Sequence, residues 1–447
     1  MFEPLERAVN WASGAVWGPW TIALLFGAGI FLSLRYRFPQ VTHLVRALRT
    51  MKPAAATGAA GSMTPFQAFM TGLAASVGTG NIAGVATAVV TGGPGAVFWL
   101  WCYGFFATVI KMTEAMLAVR FRSSRPEGLS AGPMHYLEQG LGSRRLGLVY
   151  ATVAGVAALT TTPFTQPNSI AVVFHSELGV PLWASGVALA VLTWIVVIGG
   201  AKSIGRAAER LAPTMVALYL IGGLVVIVAF AERLPDVLAL VVREAFSLEA
   251  AGGGAAGTAM MLAVRYGLAR GIYANEAGYG TAAVAYGSAR SAQPVQQGLN
   301  AMVEVYIVSF VTSTITALSI LVSGVAASGA TSTSLVARAF ATVIPYGGLL
   351  VMISALLFGY TTLIGWGYYG EQFLAYVAGP RIVAPYRWVY CALVVAGATT
   401  RVDLVWAWGD LMNGLQIFPN LIGVLGLSGV VAAMLRDARP DARATLG

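Results

Sequence analysis

The stretches GTGNIAGVATA at residues 78–88 and RGIYANEAGYGTA at residues 270–282 decide the fold of this chain. Each interrupts a long apolar segment with glycines and polar side chains. Irregular backbone is tolerated at membrane depth only where it is buried in protein or lines a cavity. Two such interruptions, at corresponding places in the two halves of a chain, are the best sequence indication of a transporter's binding site. We therefore predict two broken membrane helices, with a binding site at the breaks.

The composition indicates a multi-pass protein of the cell membrane. Of the 447 residues, 57% are hydrophobic and 10% are charged, and the mean hydropathy is +0.74. Soluble domains carry about 25% charged residues. The net charge of +9 does not indicate a nucleic-acid partner, because most basic residues flank the apolar segments, where they set orientation beside anionic lipid. The two cysteines and three scattered histidines have neither the spacing of a disulfide framework nor that of a zinc site.

The number and direction of the spans follow from the apolar segments and the charges between them. A spanning helix needs about 20 mainly apolar residues. The sequence predicts eleven spans, at residues 16–35, 66–90, 94–119, 147–175, 181–200, 210–231, 257–287, 297–325, 345–376, 386–401 and 409–435. If the N-terminus lies outside, most of the 27 lysine and arginine residues fall on the inside, as the positive-inside rule expects. We therefore expect the N-terminus outside and the C-terminus in the cytoplasm.

The spans after the first divide into two sets of five with opposite topology, and each set opens with its broken helix. This is the layout of an inverted-repeat transporter. The predicted parts are an extra N-terminal helix with a basic cytoplasmic linker (1–65), a first repeat (66–231), a second, inverted repeat (257–435) and a cytoplasmic tail (436–447). The segment 232–256 is expected to be an external loop. The predicted fold class is thus an all-α polytopic membrane protein.

The first break offers groups that can bind both a cation and an anion. Gly78 and Gly80 allow the backbone to leave the helix, and the released carbonyls and amides need partners. A cation can satisfy the carbonyls, and a carboxylate can satisfy amides at the new helix N-terminus. Thr79 and Asn81 add side-chain oxygens. The alternative for the glycines alone is a helix-packing face, with Gly80 and Gly84 four residues apart.

The second break carries Asn275, the counterpart of Asn81, and Glu276. Asn275 is a candidate for contact with the ligand. A carboxylate in the middle of a span is costly and indicates function by default. Glu276 and Arg270 are candidate gating or proton-linked residues; alternatively Glu276 forms a structural ion pair with Arg270 or Arg265.

Two further spans supply candidate pocket residues. Gln166 precedes Pro167 in the fourth span, where its amide can reach a cavity or form hydrogen bonds between helices. Thr362 and Trp366 are four residues apart in the ninth span and share one helix face. Trp366 would then limit the size of an accepted side chain. The neighbouring Thr361 is a candidate cation ligand.

Other charges within the spans have simpler interpretations. Lys111 and Glu114 are three residues apart and are predicted to pair with each other. Asp410 stands at the beginning of the last predicted span and is interpreted as a helix start.

Several long motifs in this order resemble the alanine/glycine:cation symporter family of amino-acid transporters, which has a LeuT-like fold of two inverted five-helix repeats. The resemblance runs from about residue 64 to residue 430. The motifs are TPFQAF at 64–69, GTGNIAGVATA at 78–88, GGPGAVFWLW at 92–101, RGIYANEAGYG at 270–280, QQGL at 296–299, GWGYYGE at 365–371 and NGLQIFPNLIG at 413–423. Tyr273 and Ala274 stand where the family usually has Phe and Ser, and Val308 and Ser309 where it usually has Asp and Thr.

The resemblance implies sodium- or proton-coupled uptake of a small neutral amino acid, typically alanine or glycine. It places the substrate carboxylate on the backbone at Thr79 and Gly80, with Asn81 beside it. The pocket residues it implies are Phe164, Gln166, Thr362 and Trp366. It places a coupling Na⁺ on the carbonyls of Ala74 and Val77 and the hydroxyl of Thr361.

The sequence therefore predicts a secondary active symporter that works by alternating access, and not an enzyme. The expected partners are a small neutral amino acid, the coupling cation (Na⁺ or H⁺) and the bilayer, with no other cofactor, no nucleic acid and no obligate protein partner. The alternatives are an uncoupled facilitator or channel, a symporter for a different small solute, and a sensor that keeps the fold without transport. A membrane enzyme needs a nucleophile with a base, or metal ligands, at depth, and no such set is apparent in the sequence.

Overall fold

The computed structural model describes residues 3–50, 60–125, 128–247 and 258–438, and most of them are helical. The helices are α1 (Glu3–Val16), α2 (Pro19–Tyr36), α3 (Pro39–Thr42), α4 (Leu44–Thr50), α5 (Pro65–Ser76), α6 (Ala83–Gly92), α7 (Gly95–Arg120), α8 (Pro133–His135), α9 (Arg144–Thr160), α10 (Thr162–Leu178), α11 (Leu182–Val197), α12 (Gly200–Ala229), α13 (Leu234–Ala245), α14 (Thr258–Asn275), α15 (Ala283–Gly287), α16 (Pro294–Val305), α17 (Ser313–Ser323), α18 (Ser332–Ala341), α19 (Gly347–Ala378), α20 (Val383–Thr399), α21 (Val402–Gly426) and α22 (Ser428–Asp437).

Shorter turns and one hairpin complete the described part of the chain. Tight 3₁₀ turns occur at Thr79–Asn81, Ala231–Arg233, Val325–Ala327 and Pro380–Ile382, and wider π-helical turns at Tyr136–Gly140 and Tyr306–Thr312. Strands β1 (Ser123–Arg125) and β2 (Gly128–Ser130) pair antiparallel. The middle of the predicted linker, the end of the predicted external loop and most of the predicted tail lie outside the described residues.

Helices coincide with all eleven predicted spans, but fewer of them are long and apolar enough to cross a bilayer by themselves. Seven segments among the described residues qualify, and two bent helix pairs raise the number to nine if each pair counts as one span. Two predicted spans remain. The span 181–200 corresponds to α11, which has only 16 residues. The span 257–287 corresponds to α14 and α15, which are separated by the second break. The count of eleven and the orientation stay predictions.

The first predicted break is present. Helix α5 begins with a capping box, in which the Thr64 side chain accepts from the Gln67 backbone and the Gln67 side chain accepts in return. It ends at Ser76, and the chain continues through the turn Thr79–Asn81 into α6. The two helical parts differ in direction by 54°. Between the end of α5 and the start of α6, backbone N–H and C=O groups therefore lack the hydrogen-bond partners that a continuous helix would give them.

The second predicted break is present as well. Helix α14 ends at Asn275, and regular helix resumes at Ala283. Glu276, Gly278 and Gly280 all have positive φ, at 58°, 95° and 77°. Glycine adopts this conformation without steric cost, which explains the two glycines of the NEAGYG sequence.

The two broken helices meet at their breaks and are covered by long helices. A Cβ atom on Gly80 would lie 2.6 Å from the Tyr273 ring, so the first break touches the end of α14. Helix α19 approaches α5 closely, since a Cβ on Gly365 would lie 2.8 Å from the Ala75 Cβ. Helix α7 packs along both α14 and α16. The breaks are therefore enclosed in the middle of the helical assembly.

The predicted external loop contains a helix, which corrects the interpretation of residues 232–247 as loop. Val237, Val241 and Ala245 of α13 are buried at four-residue spacing and pack against α7, where Trp99 Nε1 donates to the Ala245 carbonyl at 3.1 Å. A search for long apolar segments does not find such a helix, because only one of its faces is buried.

Candidate functional site

A small closed cavity lies between the two breaks. It is lined by Ala75, Ser76, Gly78, Gly80, Thr162, Gln166, Tyr273, Glu276, Tyr279, Thr362, Trp366 and Asn413. Its volume is about 10 Å³, which is room for about one water molecule. The structure therefore brings together five of the predicted site residues, Gly80, Gln166, Glu276, Thr362 and Trp366, in a site that must widen to admit a solute.

Gln166 holds the first break in position. Its Oε1 accepts hydrogen bonds from the backbone N–H of Thr79 at 3.0 Å and from the Thr79 hydroxyl at 2.8 Å. A Cβ on Gly78 would lie 2.6 Å from the Thr362 Oγ1 and 3.2 Å from the Gln166 amide. Only glycine lets these two side chains approach the backbone so closely.

Glu276 is held by two donors at the edge of the cavity. The Trp366 Nε1 donates to its Oε1 at 2.5 Å, and the Thr281 hydroxyl donates to its Oε2 at 2.9 Å. The alternative interpretation, an ion pair between Glu276 and Arg270, is wrong, because Arg270 binds Asp410 instead. Arg265, the other predicted partner, has its guanidinium over the ring of Tyr266.

Asn81 and Asn275 do not line the cavity. The Asn81 Nδ2 donates to the Ser76 carbonyl at 2.9 Å, and its Oδ1 accepts from Ser313 at 3.0 Å. The Asn275 Nδ2 donates to Ser309 at 3.0 Å. Since Ser309 and Ser313 are four residues apart, the two asparagines anchor both breaks to one face of the same helical segment.

Of the residues predicted to hold the cation, Ala74 and Val77 lie at the end of α5, whereas Thr361 lies on α19. The Ala74 carbonyl is 3.3 Å from the Thr362 hydroxyl, and Val77 follows the last residue of α5. The Thr361 hydroxyl donates to the Phe358 carbonyl at 3.0 Å and lies 3.2 Å from the Met215 sulfur on α12. Of the two threonines, Thr362 is the one whose hydroxyl lies beside the Ala74 carbonyl.

Phe164 lies on the side of α10 that packs against α20, away from the cavity. A Cβ on Gly397 of α20 would lie 2.5 Å from the Phe164 Cα. Asn168, one turn further on, donates to the carbonyls of Gly397 and Thr400 at 3.3 and 2.7 Å. This face of α10 is therefore packed closely against α20.

A buried lysine joins the two broken helices. The Lys111 Nζ lies 2.8 Å from the Ser76 Oγ, 2.5 Å from the Asn275 carbonyl and 2.5 Å from the Glu304 Oε1. Ser76 ends α5 and Asn275 ends α14, so one ammonium group contacts the last residue before each break. This role is not predictable from sequence spacing, because the three partners come from distant parts of the chain.

The predicted pair between Lys111 and Glu114 is wrong. Glu114 accepts instead from the Gly278 backbone at 2.9 Å and from the Asn420 side chain at 2.6 Å. Lys111 forms its ion pair with Glu304 on α16. Helical spacing allowed the pairing within α7, but neighbouring helices present closer partners that spacing cannot reveal.

An ion pair between α14 and α21 lies on a separate cleft. Arg270 binds the Asp410 carboxylate through two hydrogen bonds of 3.0 and 2.7 Å, and its guanidinium lies 5.1 Å from the Trp406 ring. These residues line a cleft of about 420 Å³. The interpretation of Asp410 as a helix start is wrong, since α21 begins at Val402.

A second ion pair lies on another cleft. Arg387 Nη2 is 2.7 Å from the Glu371 Oε2, and both residues line a cleft of about 350 Å³ together with Tyr368 and Gly200. Glu371 is five residues after Trp366 on α19. The same helix thus contributes to the closed cavity and to this second cleft.

Comparison with known proteins decides the family. The model of the sodium:alanine symporter family matches residues 2–445. The chain belongs to the sodium:alanine symporter family. The sodium/alanine symporter AgcS of Methanococcus maripaludis is 39% identical, over 95% of each chain. The probable sodium/glutamine symporter GlnT of Bacillus subtilis is 34% identical, over 98% of this chain and 91% of its own. The putative sodium/proton-dependent alanine carrier protein YrbD of the same species is 32% identical, over 95% and 90%.

Solved structures confirm the predicted fold of this family member. MhsT, in complex with L-phenylalanine, superimposes with a TM-score of 0.60 at 12% identity, over 85% of this chain and 99% of its own. A manganese transporter of Eremococcus coleocola gives a TM-score of 0.54 at 16% identity, over 85% and 83%. The protein is thus an all-α, multi-pass membrane protein with a LeuT-like fold. The family and its structural neighbours are transporters, which agrees with the expectation that the chain is not an enzyme.

Several cavity residues were not among the sequence candidates, including two tyrosines and one asparagine. Tyr273 lies over Gly80, and its hydroxyl donates to Thr165 at 2.8 Å. Tyr279 and Asn413 complete the lining. Each belongs to a motif noted in the sequence, but a motif does not show which of its side chains face inward.

Proposed function

We propose that the chain takes up a small neutral amino acid, alanine or glycine, together with a cation, by alternating access. The observation that carries the proposal is the closed cavity at the meeting point of both breaks, with one ion-paired cleft lined by Arg270 and another lined by Glu371. Opening one cleft at a time would expose the same site to each side of the membrane in turn. The membership in a family of named amino-acid symporters supports cation coupling of this movement.

The cavity walls favour a small substrate. Trp366, Tyr273 and Tyr279 bring three aromatic rings to a space of about 10 Å³. The substrate carboxylate is proposed to bind the backbone at Thr79 and Gly80, where Gln166 now accepts from the Thr79 amide. Glu276, on the opposite wall, would then face the ammonium group. A longer side chain such as that of glutamine requires displacement of Trp366 from its bond to Glu276.

The coupling cation is proposed to be Na⁺, bound at the end of α5. The carbonyls of Ala74 and Val77 supply oxygen ligands of the kind that hard cations prefer. The Thr362 hydroxyl lies beside the Ala74 carbonyl, whereas Thr361 remains the alternative from the sequence. Within the described residues, no cluster of three or more His, Cys, Asp or Glu side chains suits another metal.

Cation and substrate would be coupled through the backbone of the first break. A cation on the carbonyls orders the segment from Ala74 to Gly80, and the ordered amides then bind the carboxylate. Each ligand lowers the cost of binding the other, a reciprocal coupling of typically about 1–3 kcal/mol. Proton coupling, in which Glu276 exchanges the proton, is the second candidate, because the relative YrbD is named sodium/proton-dependent.

The test is uptake of labelled alanine into liposomes containing the purified protein, with a sodium gradient compared with a proton gradient of equal size. Accumulation above equilibrium under sodium alone supports the proposal. Accumulation under protons alone moves the coupling to Glu276, and uptake without accumulation under either gradient indicates a facilitator.

Two glycine variants show whether uptake passes through the cavity. Gly80→Ala places a Cβ 2.6 Å from the Tyr273 ring and should abolish uptake. Gly27→Ala on α2 adds the same methyl group where no atom lies within 4 Å and should leave uptake unchanged. Equal uptake by the two variants would count against the site.

A further inference from the structure

A basic cleft at one end of the molecule has no role in the proposed transport cycle. It is lined by Arg35, Tyr36, Arg37, Gly429, Ala432, Leu435 and Arg436, and its volume is about 510 Å³. The arginines come from the end of α2, the turn after it and the end of α22. Two segments far apart in sequence therefore place their positive charges around one space.

The three arginines of this cleft keep their positive charges unpaired in the part of the chain that the structure describes. Among the described residues, none of them forms an ion pair with a carboxylate, although the exposed Asp437 is next to Arg436 in sequence. Arg46 adds a fourth positive charge nearby, because its guanidinium donates to the Ala438 carbonyl just beyond α22 at 3.2 Å. Charges of one sign that converge on a cleft attract a ligand of the opposite sign.

An apolar surface adjoins the basic cleft along α2. Ile30, Phe31 and Leu34 are exposed, Leu34 by 61%, on the last turns of a helix that belongs to an apolar span. The Arg35 guanidinium lies 5.7 Å from the Phe31 ring, at the boundary between the two surfaces. Positive charge directly beyond lipid-facing apolar residues matches the division of a phospholipid into headgroup and acyl chains.

The turn that presents Arg37 is built against local preference. Arg37 and Phe38 both have positive φ, at 63° and 53°. A helix end of this shape normally carries glycine at the position of Arg37, because a Cβ is disfavoured there. Glycine would suit this backbone conformation, yet the sequence places a basic side chain there.

We propose that this cleft binds the phosphate headgroup of an anionic phospholipid, with the acyl chains along Ile30, Phe31 and Leu34 of α2. Arginine recognises phosphate by paired hydrogen bonds as well as by charge. Basic pockets between spans are typical headgroup sites on the cytoplasmic side, which is the side that the predicted orientation gives to this end of the molecule. The proposal does not depend on which solute the protein carries.

The test uses the full-length protein in detergent and measures its thermal unfolding with added phosphatidylglycerol, phosphatidylcholine or sn-glycerol 3-phosphate. We expect phosphatidylglycerol to raise the melting temperature far more than the other two additives do. The triple variant carries Arg35→Gln, Arg37→Gln and Arg436→Gln. Its half-effective lipid concentration should be higher than that of the wild type on the order of 100-fold, because each removed charge should weaken binding by roughly a factor of five.

The matched control removes three other exposed arginines on the predicted cytoplasmic side, with the substitutions Arg145→Gln, Arg206→Gln and Arg210→Gln. The control should retain the wild-type response to phosphatidylglycerol. An equal loss in both triple variants would overturn the proposal in favour of general charge attraction. A rise with glycerol 3-phosphate as large as that with the lipid would overturn it in favour of a free-anion site. The melting temperatures in phosphatidylcholine show that both variants are folded.

Discussion

The indole Nε1 of Trp366 donates a 2.5 Å hydrogen bond to the Oε1 of Glu276. This bond joins α19 to the second break across the closed cavity, and both residues line that cavity. It fixes the ring that limits the space, and it gives the buried carboxylate a partner. We propose that this one contact sets both the size of the accepted substrate and the position of the second break.

Trp366→Ala should admit larger side chains. The variant removes a ring that fills the cavity and leaves Glu276 with Thr281 as its side-chain donor. We expect valine and leucine, weak competitors of alanine uptake in the wild type, to compete in the variant at concentrations at least tenfold lower. Competition assays in proteoliposomes measure this. An unchanged order of alanine, valine and leucine would show that Trp366 does not limit the substrate.

Gln166→Ala should weaken alanine binding about tenfold or more. Without Oε1 the backbone at Thr79 loses the side chain that holds it in position, and ordering this backbone on binding should then cost about as much as one buried hydrogen bond, about 1–3 kcal/mol. The matched control is Asn168→Ala on the same helix, whose bonds go to Gly397 and Thr400. The control should lower the melting temperature while the alanine Kd stays unchanged. Wild-type affinity in Gln166→Ala would remove this residue from the site.

Thr362→Val and Thr361→Val should separate the two candidate cation ligands. Valine keeps the shape of threonine and removes the hydroxyl. Because the Thr362 hydroxyl lies 3.3 Å from the Ala74 carbonyl, its loss should raise the half-saturating sodium concentration several-fold, and the loss of the Thr361 hydroxyl should raise it less. Sodium titration of uptake measures both effects. A larger effect of Thr361→Val than of Thr362→Val would show that Thr361 is the cation ligand.

Lys111→Met should destabilise the protein strongly. The change leaves the Glu304 carboxylate buried without its cation and separates the ends of α5 and α14, at a cost of about 3–5 kcal/mol. The double variant Lys111→Met, Glu304→Gln should recover part of the stability, because no uncompensated charge remains. Thermal unfolding of both variants measures the difference. If the double variant melts no higher than the single one, the ion pair is not the source of the effect.

The sequence predicts the breaks and part of the site because these depend on local features. Glycines beside polar residues identified both interruptions, and a four-residue spacing placed Thr362 and Trp366 on one face. Gln166 also lines the cavity. A polar amide in an apolar span is costly unless it forms hydrogen bonds within the protein, so its presence in the fourth span pointed to a polar site.

The remaining contacts could not be predicted, because they depend on which helix lies opposite. Asn81 and Asn275 look like ligand residues in sequence, yet each finds a serine on another helix. Arg270 and Lys111 each had a candidate acid nearby in sequence, but both pair with acids more than a hundred residues away. Local spacing allows a contact, and tertiary packing selects among the contacts allowed.

In the proposed transport cycle, a cation and the amino acid bind cooperatively at the first break. Calorimetric titration of the purified protein with alanine, in sodium and in choline buffers of equal ionic strength, measures this cooperativity. We expect sodium to lower the alanine Kd by about 5- to 150-fold, the range of typical coupling between two sites. The same alanine Kd in both buffers, with binding present, would contradict sodium coupling at this site.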